Sequence, residues 1–170
     1  KSGGVILTLL LLALVSGSVW GQEVTVEQSV FTELNSKSLG GDAKVSYATA
    51  KGGGTSNPAI NNDEIRLYQN ASGNGGSITI SVIDGFELVS AEIGSSMSTS
   101  IAYTINESVE KSKTESLNAN ATYAASNLNA KSVTFYCMGR DKKSRLYVNY
   151  LKVVYRPVEI TQVAAPVFAP

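Results

Sequence analysis

Through most of this chain apolar residues recur at every second position, in short runs broken by Gly, Asn, Asp and Ser. That is the period of strands, whose side chains point alternately to opposite faces. The plainest case is Ser77 to Ile93, where Ile78, Ile80 and Val82 alternate with Thr79 and Ser81, Asp84-Gly85 follows, and Val89, Ala91 and Ile93 alternate on the way back. Asp-Gly favours the two-residue turn with both central residues at positive φ, whose twist matches that of flanking strands. The pattern predicts a β-hairpin, with Ile78, Ile80, Val82, Val89, Ala91 and Ile93 on one core face.

The same reading extends along the chain. Glu23 to Val30 alternates weakly and reads either as a first edge strand or as a spacer. Ala43 to Ala50 is a strand, Lys51 to Asp63 a long irregular loop with three successive glycines, and Glu64 to Asn70 a strand with Ile65 and Leu67 inward and Arg66 and Tyr68 outward. Thr99 to Asn106 places Ile101, Tyr103 and Ile105 on one face. Glu107 to Ala119 carries no apolar period for a packed helix and is expected to be an excursion with a short strand near Ser116. Thr122 to Asn129 leads into Ser132 to Met138, where Val133, Phe135 and Cys137 share a face.

In Arg145 to Tyr155, Leu146 and Val148 have one parity, Leu151 and Val153 the other. A regular strand cannot bury all four on one face. Either a β-bulge at Asn149-Tyr150 re-phases them, or the strand is central and covered on both faces. Short strands with turn signals and no long helix define an all-β fold, an antiparallel two-sheet β-sandwich of jelly-roll or Greek-key type.

The chain has 170 residues, with 14 basic and 14 acidic side chains. No overall field draws it to nucleic acid or to an anionic membrane. Val5 to Val15 is an apolar run preceded by Lys1 and followed by Ser16, Gly17 and Ser18. It is too short to span a bilayer and has the layout of a secretory signal peptide. The expected organisation is a signal peptide over 1–21, a sandwich domain over 22–157, and a proline-containing linker over 158–170 leading to a further module. The expected location is secreted or at the cell surface, with no membrane association after cleavage. Cys137 is the only cysteine, so no internal disulfide forms; it reads as a small buried hydrophobe rather than as a nucleophile or an intermolecular bridge.

Candidate chemistry is sparse. There is no histidine, which removes Ser-His-Asp and Cys-His catalysis and the commonest zinc ligand. Glycosidase chemistry needs two carboxylates flanking a cleft; Glu87 and Glu92 lie together on the predicted hairpin, without a pattern that makes them a pair. Calcium is the remaining metal, since it takes carboxylate, amide and backbone oxygens. Asn61, Asp63 and Glu64 offer such oxygens at the end of the long loop, joined by Asn62, with Asp42 or Asp141 available in space. Sugar binding on a sandwich calls for an aromatic platform. Trp20 leaves with the signal peptide, so tyrosines must serve: Tyr68, Tyr136 and Tyr150 have parity opposite to their apolar neighbours. Arg66 and Arg145 stand ready to hydrogen-bond hydroxyls or a carboxylate. Asn70, Asn106 and Asn120 open glycosylation sequons.

The succession of a Gly-rich loop (Lys51 to Ile60), IRLY (Ile65 to Tyr68), SITISV with its DG turn, IAYTIN, SVTFYC and RLYVNYLKVVYRP resembles a β-sandwich module of uncharacterised secreted surface proteins from gut commensal bacteria, over about residues 24 to 157. The final VAAPVFAP is similar to the start of immunoglobulin-like modules resembling the C-terminal domain of chitobiase. Together the two resemblances imply a multi-domain exported protein with non-catalytic sandwich modules of the sort found around glycan handling and adhesion. The leading expectation is therefore a non-catalytic module binding glycan or another surface component, with function more at home on the Lys51 to Asp63 loop than on the hairpin. The alternatives are a structural spacer or assembly module, and a carboxylate-based glycan-active enzyme.

Overall fold

The computed structural model describes residues 21–158. The expected signal peptide, apart from Gly21, and the expected linker, apart from Val158, lie outside these residues. The strands in chain order are β1 (Val24–Gln28), β2 (Asn35–Ser36), β3 (Val45–Ala50), β4 (Ala59–Asn61), β5 (Glu64–Leu67), β6 (Ser77–Val82), β7 (Phe86–Ser95), β8 (Thr99–Ile105), β9 (Glu115–Leu117), β10 (Ala121–Ala130), β11 (Ser132–Cys137) and β12 (Leu146–Pro157). They form two six-stranded sheets, all of whose pairings are antiparallel. Sheet I runs β10-β7-β12-β5-β4, with β1 also paired to β12; sheet II runs β2-β3-β6-β11-β8-β9. From β5 to β8, and again from β9 to β12, successive strands alternate between the sheets. The fold is thus an all-β, two-sheet sandwich.

The segment that spells a hairpin is a crossover. β6 belongs to sheet II and β7 to sheet I. Each already has two ladder partners, β3 and β11 for β6 and β12 and β10 for β7, so neither has an edge left for the other. The turn chemistry agrees: Gly85 is at φ +85° while Asp84 is not in the left-handed region, and Phe86 N–H donates to the Ile83 carbonyl at 3.3 Å. Positive φ at the second central position alone is the type II pattern, not the one that continues a ladder. Leu88 takes the core position expected for Val89, because the register of β7 against β12 skips Val89.

The bulge expected in the last strand is present. Val148 lies opposite Ser95 and Tyr150 opposite Gly94, so Asn149 is the extra residue. Leu146 and Val148 on one side of it, and Leu151, Val153 and Tyr155 on the other, all reach the core. β12 also changes neighbours at this point, from β5 (up to Val148) to β1 (from Leu151). A Cβ on Gly94 would come within 2.8 Å of Asn149 Oδ1 and 2.9 Å of Tyr150 Cβ, so the bulge requires glycine across from it.

The core holds aliphatic side chains of both sheets together with Phe31, Tyr47, Phe135 and Tyr155. Cys137 is buried among them, and burial pushes its thiol pKa up. Tyr155 keeps its ring inside and donates its hydroxyl to Asp42 Oδ2 at 2.6 Å, while Asp42 Oδ1 accepts from Lys44 N–H at 2.8 Å. The contact ties the central strand of sheet I to the loop before β3. The Tyr155 hydroxyl bond and the Lys44 amide hold the Asp42 carboxyl below the usual carboxylate range, and burial with the Asp42 bond pushes Tyr155 up to about 12. Asp42 therefore contributes stability above pH 3.8, lost as pH falls through its lower folded value; Tyr155 contributes below pH 10, lost as pH rises from 10 to about 12. Tyr155→Phe is expected to cost about 1.5 kcal/mol at neutral pH and to flatten both limbs. Urea unfolding across that pH range measures it, and unchanged limbs would dissociate the pair from the pH dependence.

Candidate functional site

Two cross-strand pairs define the outer face of sheet I where β5 meets β12. Leu67 lies opposite Leu146, Arg66 opposite Tyr147 and Ile65 opposite Val148. Since Ile65, Leu67, Leu146 and Val148 are core residues, the alternate positions point outward. The next step of the same register sets Tyr68 against Arg145. Two arginines and two tyrosines thus occupy a checkerboard. The guanidinium carbon of Arg66 stands 4.7 Å from the Tyr147 ring centroid, and that of Arg145 stands 4.8 Å from the Tyr68 centroid. Both are cation–π stacks within the favourable range. Arg145 Nε also donates to Gln69 Oε1 at 3.1 Å.

Arg66 has no such partner. Its Nε is buried without a hydrogen-bond acceptor, whereas the large majority of buried side-chain polar atoms have one. Among the described residues neither arginine forms an ion pair. The adjacent carboxylate on β5, Glu64, reaches across β12 and accepts from the Ser96 hydroxyl at 2.8 Å.

Of the expected platform, Tyr68, Arg66 and Arg145 come together here. Tyr150 is on the same face but farther along β12, past the bulge, where Glu27, Lys152 and Glu92 form a row across β1, β12 and β7. Burial first, then Glu27 and Glu92, push the Tyr150 pKa up. Tyr136 is on the opposite side of the molecule, on the outer face of sheet II, with Lys111 Nζ 4.5 Å from its ring and Thr104 Oγ1 3.3 Å from its hydroxyl. Parity correctly turned Tyr136 outward; it carries no information on which sheet a strand joins. Tyr147 was missed, although it sits between Leu146 and Val148 with the same parity as the residues chosen.

The residues expected to offer calcium oxygens form a turn. Asn61 pairs with Glu64, and Asn62 and Asp63 between them are at φ +52° and +60°. Two central residues at positive φ make the tight hairpin turn that Asn and Asp tolerate best, joining β4 to β5 within the stretch expected to be irregular. The Asp63 carbonyl accepts from Phe31 N–H at 2.9 Å. Among the described residues no group of three or more His, Cys, Asp or Glu side chains is placed to hold a metal ion. Of the paired acids considered for hydrolysis, Glu87 accepts from Arg156 Nε at 2.8 Å and Glu92 lies across from Lys152.

The glycines of the long loop have a packing reason. A Cβ on Gly54 would meet the carbonyl oxygens of Lys51 and Tyr68 at 2.8 and 3.0 Å, and one on Gly75 would fall on those of Tyr68 and Cys137. The 51–54 and 73–76 segments pack backbone against backbone beside Tyr68. Asn70 stitches them, donating to the Gly53 carbonyl and accepting from Ser72 N–H at 2.8 Å. A separate shallow groove of about 350 Å³ lies on the outer face of sheet II, lined by Ser46, Ala48, Thr79 and Ser81 with Asn35 to Lys37.

No family model matches the sequence, and no curated protein matches it; neither the gut-commensal module nor the chitobiase-type module gains support from those comparisons. Solved structures similar to this chain include a carbohydrate-binding module of family 29, with TM-score 0.46 and 12% identity over 78% of this chain and 89% of that one. They also include the family 29 module CBM29_1 from Piromyces equi, with TM-score 0.44 and 7% identity over 76% and 90%. A third is a CBM29-2 variant complexed with mannohexaose, with TM-score 0.44 and 12% identity over 78% and 92%. At these identities and scores the likeness assigns neither a ligand nor a site residue to this chain.

Proposed function

We propose that this protein is a non-catalytic β-sandwich module that binds glycan through the outer face of sheet I, around Tyr68, Tyr147, Arg66 and Arg145. The observation that carries the reading is the checkerboard itself: two rings and two guanidinium groups gathered on one face, one buried Nε among them lacking an acceptor. Rings offer apolar area at low conformational cost, and guanidinium edges offer donors in a fixed fork. Sugar rings present both the C–H faces and the oxygen acceptors that such a surface matches. The non-catalytic part rests on the absence of histidine and on the engagement of Glu64 and Glu87 in local bonds. Export to the cell surface or medium rests on the apolar run from Val5 to Val15.

Glycan arrays followed by calorimetric titration test the reading. Tyr68→Ala and Tyr147→Ala are each expected to weaken binding roughly tenfold, because each removes the ring's apolar edge and the stack that holds its guanidinium in place. Tyr136→Ala, on the opposite face, is expected to leave it unchanged. Absence of binding at millimolar ligand would leave the spacer as the function of the sandwich.

A further inference from the structure

We propose that the glycan bound on this face carries carboxylates, so that the module selects uronate-bearing chains over neutral ones; this rests on the glycan reading above and narrows it. Three observations converge. Each tyrosine already has a guanidinium over its ring, at 4.7 Å for Arg66 on Tyr147 and 4.8 Å for Arg145 on Tyr68. A flat sugar stacking on those rings must share them with a cation. A carboxylate projecting from the sugar is instead received edge-on by the guanidinium fork, whose spacing matches its two oxygens.

The second observation is that neither arginine forms an ion pair among the described residues, although acids are close at hand on the same sheet. Glu64 turns to Ser96, while Glu27 and Glu92 flank Lys152 at the Tyr150 end. Charge on this face is thus divided along β12, with two arginines against Glu64 at the Tyr68 and Tyr147 end and two carboxylates against Lys152 at the Tyr150 end. An acidic chain is drawn to the first end and repelled from the second, even though the whole chain has formal net charge +0.

The third is the Arg66 Nε. A buried N–H on a permanently charged group is costly to leave without an acceptor. The Nε edge is shut in against the sheet, so the two terminal nitrogens, which are not buried, are what Arg66 presents to a ligand; a carboxylate accepts from both at once, where a single hydroxyl oxygen does not.

The experiment titrates the protein with galacturonate, mannuronate and glucuronate oligosaccharides, each paired with its carboxyl-reduced neutral form. The acidic member of at least one pair is expected to bind roughly tenfold tighter or more, with affinity falling as salt rises. Arg66→Gln and Arg145→Gln are each expected to remove most of that preference, measured well below a Tm lowered by a few degrees through the lost cation–π contact, and Arg140→Gln, which is exposed, to leave it intact. Equal affinity for both members of every pair would overturn the carboxylate assignment while the glycan reading stands. Sulfated glycan bound tighter than any uronate would overturn it too. No binding by any acidic or neutral chain would sink the glycan reading itself.

Discussion

Deletion of Asn149 is expected to leave the protein unable to fold. The side-chain period of a strand is two, so losing one residue moves everything beyond it to the other face. Leu151, Val153 and Tyr155 are each no more than 1% exposed. Without the extra residue they turn to solvent, and Lys152, Val154 and Arg156 turn inward. Burial of a large apolar side chain contributes about 1.5 to 3 kcal/mol, so three such losses together approach the 5 to 15 kcal/mol net stability typical of a whole domain. Burying Lys152 and Arg156 without partners adds to the cost. Asn149→Ala keeps the residue count and is expected to cost about 0.5 kcal/mol or less. Re-inserting one residue after Tyr150 in the deletion background restores the phase and should restore folding. Circular dichroism and urea unfolding read all three variants. A deletion variant that unfolds cooperatively near the parent midpoint would mean that the ladder beyond Asn149 re-registers against Gly94 instead of flipping.

That bulge was legible because the break in parity is written in residue types: Leu146 and Val148, then Leu151 and Val153, cannot be reconciled by any regular strand. The crossover between β6 and β7 was not legible for a related reason. Alternation tells which face a residue takes and never which neighbour its strand pairs with. Asp84-Gly85 is compatible with a two-residue hairpin and with a type II corner between sheets, and only the occupied edges of β6 and β7 decide. β10 escaped because its sequence, ATYAASNLNA, offers little contrast between faces and breaks register between Ser126 and Ala130, where Asn127 and Asn129 take φ of +55° and +41°. Asn62-Asp63 is a turn signal between Ile60 and Ile65, and both residues take positive φ in the tight turn joining β4 to β5. The candidate site was half legible. Parity put Arg66, Tyr68 and Arg145 outward, yet their meeting depends on the β5–β12 register, which is long-range, and Tyr136 obeyed the same rule on the wrong sheet.

Phe135→Ala is expected to cost about 3 to 5 kcal/mol, enough to lower Tm by on the order of 10 °C. Phe135 is fully buried and meets Tyr123 edge-on at 6.3 Å and 89°, and Tyr103 at 6.2 Å and 55°. Tyr103 and Tyr123 themselves lie 6.2 Å apart. Phe135 and Tyr103 come from sheet II and Tyr123 from sheet I, so the three rings hold the sheets at their separation. Two aromatic contacts, each worth about 0.5 to 1.5 kcal/mol beyond area burial, disappear with the ring. Phe135→Leu refills much of the volume and is expected to cost about half as much. Burial pushes the Tyr123 pKa up. Water entering the cavity left by alanine should bring that titration back toward 10, a spectroscopic signature that a uniform loss of stability would not produce. The rings face the core and the Arg–Tyr checkerboard faces out from sheet I, so the glycan affinity proposed for that face, measured well below the lowered Tm, should match that of the parent. A variant that lost stability and affinity together would show that the inter-sheet packing sets the geometry of the binding face.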